Sequence, residues 1–146
     1  MTPVVVTLPL QTVSESNRRD FWAKRAARAK IHRQATVLAL RQPVTAFREV
    51  LAAERQPTPA RPARGKLAPA IAMTPVSQYR VAFTRISPRA LDDDNLRGAL
   101  KAVRDGVADA LGIDDRDSRV TWSYGQERGK KGEYAVSIDV CETCPF

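Results

Sequence analysis

The sequence predicts an α/β fold: a small single domain with a mixed β-sheet of about four strands and two main helices packed on it. Two kinds of periodicity carry this prediction. Three segments alternate apolar and polar residues, which is typical of half-buried strands, and one long segment repeats apolar residues at helical spacing. The order along the chain is strand, helix, long connection, strand, helix, strand, strand, and this order favours helices lying on a sheet.

The N-terminal part of the chain is predicted to hold a strand and a basic helix. Residues 4–8 form a β-branched run that Pro9 ends, which is typical of a short strand. Ser14 or Ser16 can cap a helix that runs to about Leu40. The apolar side chains expected to pack this helix are those of Phe21, Trp22, Ile31, Val37 and Leu38.

The middle of the chain is predicted to hold a short helix and a long connection. The helix is expected over residues 45–54, after Pro43. A Pro/Ala-rich stretch follows at about 56–75, and its composition favours an extended, mobile connection rather than a domain boundary. We therefore expect residues 1–146 to form one domain.

A strand and a long helix are predicted next. Residues 78–86 alternate apolar and polar side chains until Pro88, which ends the strand. Asp94 stands where an N-cap belongs, and Gly112 is placed to end the helix in a left-handed conformation. The apolar residues at helical spacing are Leu96, Leu100, Val103, Val107 and Leu111.

Two further strands are predicted near the C-terminal end, over residues 120–124 and 136–140. The glycines at the two ends of residues 129–132 predict a hairpin loop between them. Trp122 and Tyr124 have the spacing of core positions, and stacking on nucleic-acid bases is the alternative role for such rings.

Charge is divided unevenly along the chain. The net charge is +8, from 24 basic and 16 acidic side chains, and such a balance favours polyanionic partners, above all nucleic acid. Residues 1–91 hold 16 basic and 4 acidic side chains, whereas residues 92–146 hold 8 basic and 12 acidic ones. A positive body with one acidic cluster suits a metal-dependent phosphodiesterase, because the body attracts the backbone and the cluster holds the cation.

Several classes of protein are excluded or disfavoured. No apolar run approaches the roughly 20 residues that span a bilayer, so we expect no membrane partner. The first residues lack the features of a signal peptide, and two cysteines favour a reducing cytoplasm. Cys141 and Cys144 are half of a zinc site and are expected to be free thiols. The single histidine, His32, is expected at the surface or on a phosphate.

The acidic residues are concentrated at the two ends of the predicted second long helix. Asp92, Asp93 and Asp94 precede it, and two carboxylates spaced by one residue in an extended segment point the same way. Asp92 and Asp94 can therefore converge on one Mg²⁺, which often needs only one or two carboxylates. The alternative interpretation is a helix cap with solvated acids. The alternative interpretation of residues 114–117 is a polar turn before a strand.

Lys101 adds an amine on the same side of the helix. It lies seven residues after Asp94, so the two side chains share a helical face, and its ammonium could stabilise a leaving oxygen or a pentavalent phosphate. The alternative role is an ordinary surface lysine paired with Asp105 four residues later.

Taken together, these residues resemble the RusA-type Holliday-junction resolvases of bacteria and their phages. That family has Asp-x-Asp-Asn, a lysine soon after, an Asp one helical turn later, then a Gly and an Asp-Asp pair. The corresponding residues here are Asp92, Asp94, Asn95, Lys101, Asp105, Gly112, Asp114 and Asp115. The strand ending at Pro9, the turn with Asn17 and the basic helix are similar as well, so the resemblance covers most of the chain except about 42–75.

The resemblance implies a homodimeric, Mg²⁺-dependent endonuclease of branched double-stranded DNA that resolves four-way junctions by paired symmetric nicks. Mn²⁺ is expected to substitute, and no organic cofactor is implied. An accessory enzyme of a bacterium, phage or prophage fits this activity. The metal ligands implied by position are Asp92, Asp94 and Asp115, with Asp117 as the alternative to the last, and Lys101 is the implied phosphate-facing catalytic amine.

One position departs from the family. Its lysine usually follows the Asp-Asn pair by three residues, where this chain has Gly98. A three-residue insertion restores the match to Lys101 and keeps the amine on the same helical face, and Arg97 is the reserve candidate.

The expected DNA-binding residues lie on the first helix and its approach, on the second long helix and in the hairpin loop. They are Asn17, Arg18, Arg19, Lys24, Arg25, Arg28, Arg97, Lys130 and Lys131. Two other functions stay open: a catalytically weak or inactive structure-selective DNA-binding protein of the same fold, and a nuclease for flaps or forks.

Overall fold

The computed structural model describes residues 1–14, 19–54 and 77–143. Over these residues the strands are β1 (Val4–Leu8), β2 (Gln78–Ser87), β3 (Val120–Arg128) and β4 (Ala135–Thr143). The helices are α1 (Trp22–Leu40), α2 (Thr45–Ala53) and α3 (Asp93–Leu111). The predicted connection at 56–75 lies outside the described residues, as do Ser16, Asn17, Arg18 and Cys144.

The four strands form one mixed sheet in the order β1-β4-β2-β3. β4 is antiparallel to both β1 and β2, whereas β2 and β3 are parallel and joined through α3. The predicted fold class is therefore confirmed: a small α/β fold with a four-stranded mixed sheet, here with three helices among the described residues.

The predicted hairpin between β3 and β4 is wrong. The two strands follow each other along the chain, but β2 lies between them in the sheet. Burial gives the reason, because the three alternate residues Val136, Ile138 and Val140 are fully buried. Such a strand suits a central position between β1 and β2, and residues 129–132 therefore lead past the end of β2 rather than turning back along β3.

The core lies between the sheet and α3. The five apolar residues predicted at helical spacing on α3 are all at most 2% exposed, so that periodicity is confirmed. They pack against alternate side chains of β2, whose largest buried members are Tyr79 and Phe83. Phe47 of α2 meets Tyr79 edge-on, with ring centroids 5.7 Å apart, and closes the core at the other end.

The N-cap of α3 is Asp92 and not Asp94 as predicted. The Asp92 carboxylate accepts a hydrogen bond from the backbone N–H of Asn95 at 3.0 Å, and Asp93 and Asp94 lie in the first turn, where the helix dipole favours them. At the other end, Gly112 takes the left-handed conformation with φ of 69°, as predicted.

The predicted start and packing face of α1 are also wrong. The helix begins at Trp22 without a side-chain cap, and Ser14 instead donates to Asn95 Oδ1. Of the five residues expected to pack, only Val37 is partly buried, whereas Phe21, Trp22, Ile31 and Leu38 are exposed. His32, expected at the surface, is only 8% exposed, and Thr36 is fully buried.

Close contact between α1 and α3 explains this choice of face. A Cβ on Gly106 would lie 2.7 Å from Thr36 Cβ and 2.8 Å from the Arg33 carbonyl oxygen, so no larger residue fits on α3 there. The crossing is further held by Arg33, whose guanidinium donates to both oxygens of Asp109 at 2.5 and 2.8 Å. His32, Thr36 and Leu40 are therefore the buried residues of α1, and the four exposed apolar residues named above face outward.

Two alanine substitutions on α3 test the contact with α1. Gly106→Ala is expected to destabilise the fold by about 1–3 kcal/mol, because the new methyl group overlaps Thr36 and backbone. Gly98→Ala on the same helix has nothing within 4 Å of its Cβ and is expected to stabilise by about 0.5–1 kcal/mol. Urea unfolding measures both, and equal stability of the two variants would contradict the close contact.

Candidate functional site

A groove of about 480 Å³ lies between α3 and β3. Its lining side chains come from α3, from β3 and from the loop that joins them. They are Arg97, Gly98, Lys101, Arg104, Asp115, Trp122 and Tyr124. Three of these seven residues are cationic and two are aromatic, whereas Asp115 is the only acid among them.

The cations of the groove stand over its aromatic rings. Arg104 Cζ lies 4.9 Å from the centre of the Trp122 ring, and Arg97 Cζ lies 5.6 Å from that of Tyr124. Both rings stack in turn on the buried Phe83, with centroids 6.0 and 5.5 Å away. Trp122 and Tyr124, predicted as core residues, therefore border the core with one face and the groove with the other.

Asp115 is held at one end of the groove through its backbone. Its carbonyl oxygen accepts hydrogen bonds from Arg104 Nη2 and from Trp122 Nε1, the latter at 3.1 Å. Its carboxylate lies 3.8 Å from Arg104 Nη2. Asp115 and Arg104 therefore position each other beside the Trp122 ring.

Asp117, the alternative to Asp115, has a different partner. The Arg119 guanidinium donates to both of its carboxylate oxygens, at 3.0 and 2.6 Å, and also to the carbonyl oxygen of Leu51 at 2.9 Å. The hydrogen bond with Asp117 raises the pKa of Arg119. Asp117 thus holds Arg119, which joins the loop before β3 to α2, and Asp115 is the one of the two aspartates that lines the groove.

The acidic turn at the start of α3 (Asp92, Asp93 and Asp94) is exposed and does not line the groove. The expectation of an extended segment through Asp94 is wrong, because the helix begins at Asp93. Asp93 Oδ2 lies 3.8 Å from Arg97 Nη2. At about 1.5 Å per residue, Arg104 stands roughly 15 Å further along the helix axis than Asp94.

The three implied metal ligands are not brought together in this structure. Among residues 1–14, 19–54 and 77–143, no group of three or more His, Cys, Asp or Glu side chains is placed to hold a metal ion. Asp92 and Asp94 share the first turn of α3, whereas Asp115 contacts Arg104 three turns later. Asp92 and Asp94 remain together in the exposed turn at the start of α3, with Asp93 between them.

Lys101 lines the groove and is also paired. Its ammonium lies 3.1 Å from Asp105 Oδ2, the i,i+4 contact that the alternative interpretation expected. Lys101 is 69% exposed, so this pair is weak and exchangeable. One turn earlier, Gly98 leaves open space on the same side of the helix.

The other expected DNA-binding residues are dispersed. Arg19, Lys24 and Arg25 are exposed on or before α1, and Arg28 pairs with Asp20. Arg25 lines a second cavity between α1 and α3, of about 530 Å³, which shares Gly98 and Lys101 with the groove. Lys130 and Lys131 are exposed after β3 and lie outside the groove.

Arg104 is a groove residue that sequence reasoning missed. It follows Arg97 by seven residues and Lys101 by three, and this spacing puts all three on one face of a helix. The signal was therefore present in the sequence. The sequence does not show, however, that β3 places aromatic rings against that face of the helix.

Comparison with protein-family models finds no match for this chain, and a search of curated proteins finds no relative. Within the parts of the chain that the structure describes, no helix combines the length and apolar character needed to cross a membrane.

The two aspartates before β3 are expected to differ in their effect on stability. Asp117→Asn removes the charge that accepts two bonds from Arg119, and we expect a loss of about 1.5–3 kcal/mol. Asp115→Asn keeps the backbone contacts and is expected to cost less than about 1 kcal/mol. Urea unfolding of both variants measures this, and a larger loss for Asp115→Asn would show that the roles are reversed.

Proposed function

We propose that this protein is a Mg²⁺-dependent endonuclease of branched double-stranded DNA, acting as a homodimer that cuts four-way junctions by paired symmetric nicks. One observation carries the proposal: the groove sets Arg97, Lys101 and Arg104 beside two aromatic rings, on the same helix that carries an exposed acidic turn. The junction preference and the dimer rest on the resemblance to RusA-type resolvases.

The groove suits a nucleotide strand for two physical reasons. The guanidinium forks of Arg97 and Arg104 match phosphate oxygens, and the net charge of +8 favours binding through counterion release. The groove faces of Trp122 and Tyr124 carry the guanidiniums of Arg104 and Arg97, and unstacked bases can lie on guanidinium planes held in this way. A branch point supplies such bases, whereas a continuous duplex keeps them stacked.

The acidic turn suits a hard divalent cation. Asp92 and Asp94 are exposed carboxylates, and Mg²⁺ commonly takes one or two of these together with water and substrate phosphate. When bound, the cation supplies Lewis-acid polarisation of the phosphate. We assign metal binding to Asp92 and Asp94, and to Asp115 the positioning of Arg104 at the other end of the groove.

Lys101 is assigned to the phosphate. Its ammonium reaches the groove from the middle of α3, and a cation there stabilises negative charge that develops on the phosphate oxygens. The exposed pair with Asp105 is weak enough for a phosphate to replace it.

The alternative function is structure-selective DNA binding with little or no cleavage. Two observations favour it: Asp115 lies apart from Asp92 and Asp94, and Gly98 occupies the position of the family lysine. A wild-type protein that binds junctions but cuts nothing in Mg²⁺ or Mn²⁺ would establish this alternative. An assay in which flap and fork substrates compete with the four-way junction would distinguish a junction-specific nuclease from a nuclease of another specificity.

Asp92→Asn tests the metal assignment without disturbing the helix, because asparagine caps a helix as well as aspartate. Mg²⁺-dependent nicking of a synthetic four-way junction is expected to be lost. Junction affinity in EDTA is expected to be equal or tighter, since one negative charge is removed. Asp93→Asn is the matched control from the same turn and is expected to retain nicking; cleavage retained by Asp92→Asn would overturn the assignment.

Arg97→Gln tests the groove as the DNA interface. Arg97 is 63% exposed, so the fold tolerates the change, and the salt dependence of junction binding is expected to fall by about one phosphate contact. Arg80→Gln removes the same charge from an exposed position of β2 outside the groove and is expected to change little. Fluorescence anisotropy at several salt concentrations measures both, and equal losses would place the interface elsewhere.

A further inference from the structure

A third cavity, of about 490 Å³, lies beside the acidic turn at the end of β2. Residues 11–14, the end of β2 and the segment before β4 surround it. The lining residues that could meet a ligand with polar atoms include Thr12, Ser14, Arg85, Ser87, Arg89 and Lys131. Three of these are cationic, and no carboxylate lines the cavity.

Arg85 is the unusual residue of this cavity. It is only 5% exposed, and it projects from β2 on the same face as the buried Phe83. Its guanidinium donates to Thr12 Oγ1 at 3.0 Å, to the Thr12 carbonyl at 3.2 Å and to the Arg89 carbonyl at 2.8 Å. All three acceptors are neutral, and among the described residues no carboxylate pairs with it.

A buried cation without a counter-charge is costly, since neutral hydrogen bonds offset only part of the lost hydration. Burial lowers the pKa of Arg85, as this cost requires. Arginine has five N–H donors, and the three bonds above leave one donor on Nη1 and one on Nη2 for another acceptor. Two such donors on one guanidinium can meet two oxygens of one anion.

The rim of the cavity adds charge of the same sign. Arg89 and Lys131 are exposed, and the Arg89 side chain is not needed for the bond from Arg85, which uses the Arg89 carbonyl. The cavity also adjoins the acidic turn, because Leu91 lines it and Ser14 donates to Asn95 on α3. An anion bound here would therefore lie next to the carboxylates of Asp92 and Asp94.

We infer that this cavity binds a phosphate group, and that its source is the DNA strand whose neighbouring phosphate meets the acidic turn. Arg85 would donate hydrogen bonds to the phosphate oxygens at the base of the cavity, and Arg89 and Lys131 would attract the phosphate charge at its rim. The claim that the phosphate belongs to DNA rests on the proposed function, whereas the claim that the cavity binds a phosphate rests on its lining residues alone. A free phosphate or a small phosphorylated molecule is the other source of the same chemistry.

The first experiment uses inorganic phosphate as the probe in EDTA. The Arg85 Nε–H donates to Thr12 and is buried, so it is expected to exchange slowly and to give a separate signal in proton–nitrogen NMR spectra. Phosphate is expected to shift this signal. Arg89→Gln is expected to weaken phosphate binding about tenfold, and Arg80→Gln, at an exposed position of β2 outside the cavity, is the control without effect. A signal unmoved at high phosphate would overturn the inference.

The second arm replaces phosphate by a four-way junction, again without divalent metal. A shift of the Arg85 signal by the junction, weakened in Arg89→Gln, supports a DNA phosphate in the cavity. A response to inorganic phosphate alone overturns the DNA source and assigns the cavity to a small phosphorylated ligand. Neither arm depends on cleavage, so the two proposals fail separately. If the protein nicks junctions but its Arg85 NMR signal does not shift, only the phosphate-cavity inference is overturned. If the signal shifts but the protein never nicks junctions, only the proposed nuclease function is overturned.

Discussion

The contact between α3 and the sheet is the constraint on which the rest of the structure depends. Five apolar side chains of α3 are buried there, each stabilising the fold by about 1.5–3 kcal/mol. Burying that stripe fixes the rotation of the helix about its axis. The rotation in turn decides that Arg97, Lys101 and Arg104 face β3, where Trp122 and Tyr124 are held flat against Phe83. Core packing therefore sets the groove, and the loop after α3 adds Asp115, whose carbonyl holds Arg104 and Trp122.

The N-terminal end of α3 is fixed from several sides, which matters because it carries the acidic turn. Asp92 caps the helix, and Ser14 reaches Asn95 from the segment after β1. Gln126 of β3 accepts from the Leu91 N–H at 2.9 Å and donates to the Leu91 carbonyl at 2.6 Å. Several hydrogen bonds thus fix the position of carboxylates that repel one another, and such preorganisation suits the cation binding that we propose for this turn.

The sequence predicts the parts of this fold that depend on local periodicity and fails where partners decide. The four strands, α3 and its glycine end followed from apolar spacing. The position of β4 in the sheet could not be predicted, because it depends on pairing with β2. The packing face of α1 could not be predicted either, because it depends on the close approach of α1 to Gly106. For the site, clustering of acids indicated a metal-binding edge, but the distance between Asp92 and Asp115 is set by tertiary packing. Arg85 continues the alternation of β2 onto its buried face, and only the structure shows that no carboxylate of the described residues pairs with it there.

One strand underlies both cavities that we assign to the DNA backbone. Phe83 supports the rings of the groove, and Arg85, two residues later, lines the cationic cavity, so these two side chains leave β2 about 6.6–6.8 Å apart along the strand. The backbone hydrogen bonds of β2 fix the register of the strand and with it the positions of both side chains. A slip of one residue would turn both side chains to the opposite face at once, so a register shift of β2 would remove both of these supports together.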